Sequence, residues 1–389
     1  MKQRFFRVFA LLLSFVFLTA CSSRDDSRPK EGMGTATLRA VGDIFLSPEM
    51  LADARSGNGS YDFRPTFEQV FTVLSDADVT IGNFEGTFAG GGEGSYPDAL
   101  AGTLAAAGLD ILQTANSYSV QHGLSGLQRT RDVILEQGLI PLGTYSSAEE
   151  REDAPVYVRE INGIRFAFVA FTKGFQGMGL PAGSEHCVNL LYSDYTTDYE
   201  DINREEILDI LEAAQDTKPD FIVAALHWGS ENIGGISSSQ ERITDLLLQN
   251  GVDVILGSHS HRLEQVETRQ VTMEDDTVKT CVIAYNLGDF CYTEAGKCNT
   301  SVVLDLEFTR NHATGEGEIS AVSYVPVSTV DNGESYANRF AVVPTDEAIA
   351  LYEGNYYLRV SEAAYNAMVK GREGLEEKLF PQPEEEAAE

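Results

Sequence analysis

Residues 221–229 read FIVAALHWG and residues 252–261 read VDVILGSHSH. Phe221 to Leu226 is a continuous apolar run and Val252 to Leu256 is rich in β-branched side chains, so both predict strands buried on two faces. Each run ends in glycine and histidine. Between them Ser238 and Glu241 have the spacing of a capping box, and Ile243, Leu246 and Leu247 recur on one face of a helix. A strand, a helix and a second strand with polar chemistry at its end is the pattern of a layered α/β fold, where ligands bind beyond the carboxyl ends of strands.

Working outward, strand-like and helix-like runs alternate from residue 37 to about 260. Thr37–Leu46 reads as a strand, Thr66–Leu74 as a helix, Val79–Phe84 as a strand, Leu104–Ala107 as helical, Ile111–Thr114 as extended and Leu124–Glu136 as a helix stopped at Gly138. Val156–Glu160 and Ile164–Phe171 are β-rich and flank Asn162-Gly163, the sequence of a type I′ hairpin turn. Ile202–Ala214 has helical periodicity. Beyond residue 264 strands follow one another at Cys281–Tyr285, Ser301–Phe308 and Ile319–Val325, then helical pieces near Thr345–Tyr352 and Val360–Met368 and a frayed acidic end at Glu384–Glu389. Lys173–Tyr199 has no period and reads as a long loop, either functional or partly disordered. The glycines at 90–92 and 94 fit no phosphate-loop spacing and read as a surface turn. No internal repeat is visible.

The 389 residues carry 28 Lys plus Arg against 60 Asp plus Glu, a formal charge of −32, with 43% hydrophobic residues. That composition folds into a core, and the lack of a basic stripe excludes a nucleic-acid binder. Lys2, Arg4 and Arg7 precede an apolar stretch from Val8 to Leu18, and Leu18-Thr19-Ala20-Cys21 closes it. The stretch is short for a membrane span and resembles a bacterial lipoprotein signal, residues 1–20, in which the Cys21 thiol is diacylated. The expectation is then a polar tether at 21–36 and a protein held by lipid at the extracytoplasmic face of the cell membrane. Cys187, Cys281, Cys291 and Cys298 lack zinc-knuckle spacing; Cys291 and Cys298 could staple a hairpin, or all four could be buried thiols, and spacing does not choose between these.

The six histidines are His122, His186, His227, His259, His261 and His312. His227, His259 and His261 sit just past predicted strands, and an extended Ser260 would send the imidazoles of His259 and His261 to the same side. Asp43 in Gly42-Asp43-Ile44-Phe45-Leu46 and Glu85 in Gly82-Asn83-Phe84-Glu85-Gly86 occupy the same register at other strand ends. Any one of these residues has an ordinary structural reading. Together Asp43, Glu85, His227, His259 and His261 form an oxygen and nitrogen set suited to a divalent transition metal, Zn, Mn or Fe, as one or two ions.

These motifs, with Ala115-Asn116-Ser117-Tyr118, Leu226-His227-Trp228-Gly229 and Asn286-Leu287-Gly288-Asp289-Phe290, resemble the bacterial capsule-synthesis family, CapA or PGA_cap. That family is associated with poly-γ-glutamate capsules and set within the calcineurin-like metallophosphatase superfamily. The resemblance covers residues 37 to 295 and implies a four-layer α/β/β/α sandwich of the metallo-dependent phosphatase-like type. Residues 296–345 would supply strands completing the sandwich, and 346–389 a helical segment and tail. It also implies a dinuclear site, with Asp43 as first carboxylate, Glu85 bridging and His227, His259 and His261 as imidazole ligands. The chain departs from the superfamily pattern at Phe45, where a His is expected, and at Ser117 and Tyr118, where an Asn-His pair is expected. Asn116 could replace the lost amide oxygen and His122 could supply a proton. Two functions follow: a metal-dependent phosphoesterase acting on a phosphorylated substrate, and a catalytically impaired accessory or scaffold that meets an anionic surface polymer and its synthesis machinery. A solute-binding lipoprotein would leave the His259-Ser260-His261 turn unexplained.

Overall fold

The computed structural model describes residues 32–381 except 93, 274–275 and 356–359. The expected signal, the lipidated Cys21 and the acidic end at 384–389 lie outside the described residues. Among the described residues no helix is long and apolar enough to cross a membrane.

The chain begins with β1 (Met33–Ile44), α1 (Pro48–Asp53), α2 (Arg64–Phe67), α3 (Phe71–Ser75), β2 (Val79–Phe84), α4 (Ala99–Ala107), β3 (Ile111–Gln113), α5 (Gly123–Glu136) and β4 (Ile140–Leu142). It continues with α6 (Ala148–Asp153), β5 (Tyr157–Ile161), β6 (Ile164–Thr172), α7 (Arg204–Asp216), β7 (Phe221–His227), α8 (Ser238–Gln249) and β8 (Val254–Ser258). Then come β9 (Val266–Thr272), β10 (Val278–Ala284), β11 (Asp289–Cys291), β12 (Cys298–Asn311), β13 (Gly317–Asp331) and β14 (Phe340–Pro344), followed by α9 (Thr345–Glu353), α10 (Glu362–Arg372) and α11 (Leu375–Leu379).

The strands form two sheets. One runs β14-β13-β12-β1-β2-β3-β4 with β11 alongside β1, and the other runs β5-β6-β7-β8-β10-β9. Their facing surfaces enclose one core, to which β1 gives Leu38 and Ala40, β6 Phe166 and Phe168, β7 Val223, and β12 Leu304 and Phe308. Phe166, Phe221 and Phe308 meet with ring centroids 4.7 to 5.7 Å apart and tie the sheets together. Burying each such side chain contributes about 1.5–3 kcal/mol. The outer face of the first sheet is covered by α1 to α5, through Met50, Phe67, Leu74, Leu104 and Ile134. The outer face of the second is covered by α7 and α8, through Ile207, Leu211, Ile243 and Leu247. The architecture is therefore a four-layer α/β/β/α sandwich, as expected.

Local chemistry explains where elements begin and end. In the β5–β6 hairpin Asn162 and Gly163 have φ of 52° and 82°, as the expected turn requires, and Asn162 Nδ2 donates to Thr35 O on β1. The capping box of α8 falls one residue earlier than expected: the Ser237 side chain accepts from the Gln240 backbone N–H, and Gln240 reaches back to the Ser237 N–H. β1 begins at Met33, so the last residues of the expected tether are strand. The expected helix at Thr66–Leu74 is split into α2 and α3, and Cys187, Cys281, Cys291 and Cys298 are all free thiols.

Candidate metal centre

Both sheets deliver side chains to one end of the sandwich. Asp43 is the penultimate residue of β1, Glu85 directly follows β2, His227 ends β7, and His259 directly follows β8. The register of β1 shifts beside Asp43 on both of its parallel neighbours, which turns that carboxylate out of the regular alternation. Gly42 permits this: a Cβ there would lie 1.8 Å from Gly288 O, and the Asp43 N–H donates to that same oxygen at 2.8 Å. The β8 end is built alike. A Cβ on Gly257 would lie 2.0 Å from Tyr285 O, which also accepts the Trp228 Nε1–H at 2.9 Å.

His259 and His261 have φ of 99° and 56°. Non-glycine residues held in this region cost about 1–3 kcal/mol and collect at functional sites. The backbone is therefore coiled here and not extended as expected, and both imidazoles come within reach of Glu85. His259 joins Glu85 and His227, while His261 joins Asp43 and Asp289, each trio offering ligand atoms within 4.8 Å of one another.

Glu85 lies between the trios. Its Oε1 is 3.5 Å from His227 Nε2 and its Oε2 is 3.9 Å from His261 Nε2. Asp43 is fixed by Asn83, whose Nδ2 donates to Oδ1 at 2.6 Å, and by the His259 N–H, which donates to Oδ2 at 3.3 Å. The Ser258 hydroxyl donates to Leu226 O and lies 3.2 Å from His227 Nδ1. Asn83 Nδ2 lies 3.4 Å from the same Nδ1, while His227 Nε2 is turned toward Glu85 and lies 2.9 Å from Ser117 Oγ. His261 Nδ1 lies 2.7 Å from Asp289 Oδ1 and 3.7 Å from Asp43 Oδ2.

The electrostatics are those of a crowded acid site removed from water. Burial raises Asp43 to about 6, and burial together with the Asp43 charge raises Glu85 well above the usual carboxylate range. Burial and the neighbouring histidines hold His227 far below its ordinary value, and burial with Lys173 takes His259 down to about 3. Both imidazoles are therefore neutral, the form that offers a lone pair to a metal. For His261 burial acts downward, but Asp289, Glu85 and Asp43 outweigh it and raise the group to about 10. Glu85 Oε2 and His259 Nδ1 are buried without any hydrogen-bond partner. Orphaned atoms facing neutral imidazoles and clustered carboxylates are what a divalent cation satisfies, so the residues fit the expected ion.

Asp43, Glu85, His227, His259 and His261 are thus brought together, and two other expected residues are not part of the ligand trios. Asn116 is buried, but its Nδ2 donates to Phe84 O and Asn83 Oδ1 and its Oδ1 accepts the Tyr118 N–H, so it braces Asn83. His122 stands at the N-terminus of α5 beside Gly92 and Gly126. Asp289 completes the second trio and was not among the expected site residues, although Gly288-Asp289 repeats the Gly42-Asp43 pattern in sequence. A cavity of about 500 Å³ opens over the Asp43 trio, lined by Phe45, His261, Arg262, Asp289, Tyr292 and Asn299. Phe45 forms an aromatic wall with Tyr118 and Tyr292, at centroid distances of 5.8 and 5.4 Å.

The family described as Bacterial capsule synthesis protein PGA_cap matches residues 37–294. The chain is 25% identical over 272 residues to the capsule biosynthesis protein CapA of Bacillus anthracis, covering 66% of this chain and 60% of that one. It is 24% identical over 212 residues to the PGA biosynthesis protein CapA of Bacillus subtilis (strain 168), covering 54% and 50%. It therefore matches between half and three fifths of the length of these relatives. Among solved structures it is similar to a phosphatase of Mycoplasma pneumoniae, with 12% identity, coverage of 76% and 95%, and a TM-score of 0.45. The calcineurin-like phosphoesterase YfkN of Bacillus subtilis gives 13% identity, coverage of 88% and 98%, and a TM-score of 0.40.

Proposed function

We propose, from the premise that the chain belongs to the bacterial capsule synthesis protein PGA_cap family, that it is a metal-dependent phosphoesterase serving the assembly of an anionic envelope polymer of the poly-γ-glutamate type. In this reading lipid on Cys21 holds it at the extracytoplasmic face of the cell membrane, beside the machinery that makes the polymer. The observation that carries the proposal is Glu85, whose two oxygens face two separate ligand trios. Asp43, Glu85, His227, His259 and His261 would hold a divalent transition metal, which would supply Lewis-acid polarisation of a phosphoryl group and activation of water. The chain's own groups prepare the site: Asn83 and the His259 N–H orient Asp43, Ser258 holds the His227 ring through Nδ1, and Phe45 with Tyr292 excludes water from one wall of the cavity.

The second reading, an accessory or scaffold with little turnover, is favoured by Tyr118, which stands where the resemblance implies an acid–base imidazole, and by Phe45, an apolar ring 6.2 Å from the His261 ring where it implies a His. One experiment separates the two. Full-length chain in detergent is assayed for bound metal and for hydrolysis of bis(4-nitrophenyl) phosphate, with His259→Ala as control. Bound metal and turnover lost in the variant support the phosphoesterase. Bound metal without turnover, together with surface polymer that disappears on gene deletion, supports the scaffold, and absence of bound metal overturns the metal-site reading.

A further inference from the structure

The trio of Asp43, His261 and Asp289 contains a carboxylate, Asp289, outside the ligand set that the resemblance implied. Asp289 begins β11, which pairs in parallel with β1 so that Asp43 and Asp289 are register partners. The bond from Asp43 N–H to Gly288 O locks that pairing at the site. Asp289 is 5% exposed, and its two oxygens have different tasks. Oδ2 accepts from Asn299 Nδ2 at 2.8 Å, while Oδ1 points at His261. Across the same space stands Phe45, which has no atom to offer a cation.

We infer that Asp289 is a direct ligand of the ion held by Asp43 and His261, filling the coordination place that Phe45 leaves. This rests on the metal-site reading and extends it. The two ion positions then differ in chemistry. One is oxygen-rich, with Asp43, Asp289, His261 and an oxygen of Glu85; the other has His227, His259 and the second oxygen of Glu85. Oxygen donors suit Mn(II), and imidazoles suit Zn(II). The centre is accordingly a mixed one, with Mn(II) on the Asp289 side.

The rival role for Asp289 is to orient His261 by hydrogen bonding alone, and asparagine preserves that acceptor while weakening a metal bond. Full-length chain, stripped by chelator and offered Mn(II) and Zn(II) together, is analysed for both ions by mass spectrometry and for Mn(II) by electron paramagnetic resonance. The expected result is Mn(II) and Zn(II) in the native chain, Mn(II) reduced about tenfold or more in Asp289→Asn with Zn(II) retained, and the opposite loss in His227→Ala. Native-level Mn(II) in Asp289→Asn overturns the inference while leaving the metal site intact; no ion in the native chain overturns both. Should Asp289→Asn fail to fold, anomalous diffraction from Mn(II)-loaded native crystals decides: an Asp289 oxygen within about 2.2 Å of the ion supports ligation, and one beyond hydrogen-bond distance refutes it.

Discussion

Gly42 has no side chain, and that absence lets β1 lie against the Gly288 carbonyl that aligns Asp43 with Asp289. Gly42→Ala puts a methyl group into occupied backbone, so it is expected to cost about 1–3 kcal/mol by overpacking and to separate the two carboxylates. A lowered urea midpoint together with weaker metal binding would show this, and unchanged values would refute it. Ser258→Ala removes a hydrogen-bond partner that orients the His227 ring, and metal affinity should fall about 10- to 100-fold in a competitive chelator titration with little change in stability. The ligand types were legible in the sequence, because carboxylates and imidazoles beside glycines at strand ends are rare enough to notice. Their pairing was not. Which side chain meets which depends on the positive φ of His259 and His261 and on the register shift at Asp43, and neither leaves a mark in residue spacing.

Among the elements, strands buried on both faces were the easiest to read: Phe221–Leu226 became β7 and Val79–Phe84 became β2 with nearly the expected ends. Of the short strands, β3 was read as extended at Ile111–Thr114, whereas β11 was not legible. β11 is three residues long and exists because β1 offers it a parallel edge, a long-range pairing that no local pattern announces. β14 likewise is held by β13. At α8 the expected cap was Ser238, but among the three consecutive serines 237–239 the structure uses Ser237, where Gln240 closes the reciprocal bond. Ser237→Ala should therefore destabilise the protein by about 1 kcal/mol, whereas Ser238→Ala should be nearly neutral. Comparing the two by chemical denaturation tests the assignment directly.

Across the whole molecule, buried acids with raised pKa values are a burden that an ion relieves. Saturating divalent metal at about 100 times its dissociation constant should add about 2.7 kcal/mol for each site, so the melting temperature rises by several degrees and chelator reverses the gain. A melting temperature indifferent to metal would contradict the proposed centre. The charge of −32 sharpens the point, because a cation added to such a chain also reduces self-repulsion. Monovalent salt at the same ionic strength is therefore the needed control.

Asp43, Glu85 and Asp289 come from the first sheet, and His227, His259 and His261 from the second. Each ligand trio takes donors from both halves of the sandwich. Either ion position is therefore complete only after the layers have closed on one another. A cation held there would be drawn from whichever compartment hosts that closure, so geography as well as coordination chemistry would decide its identity.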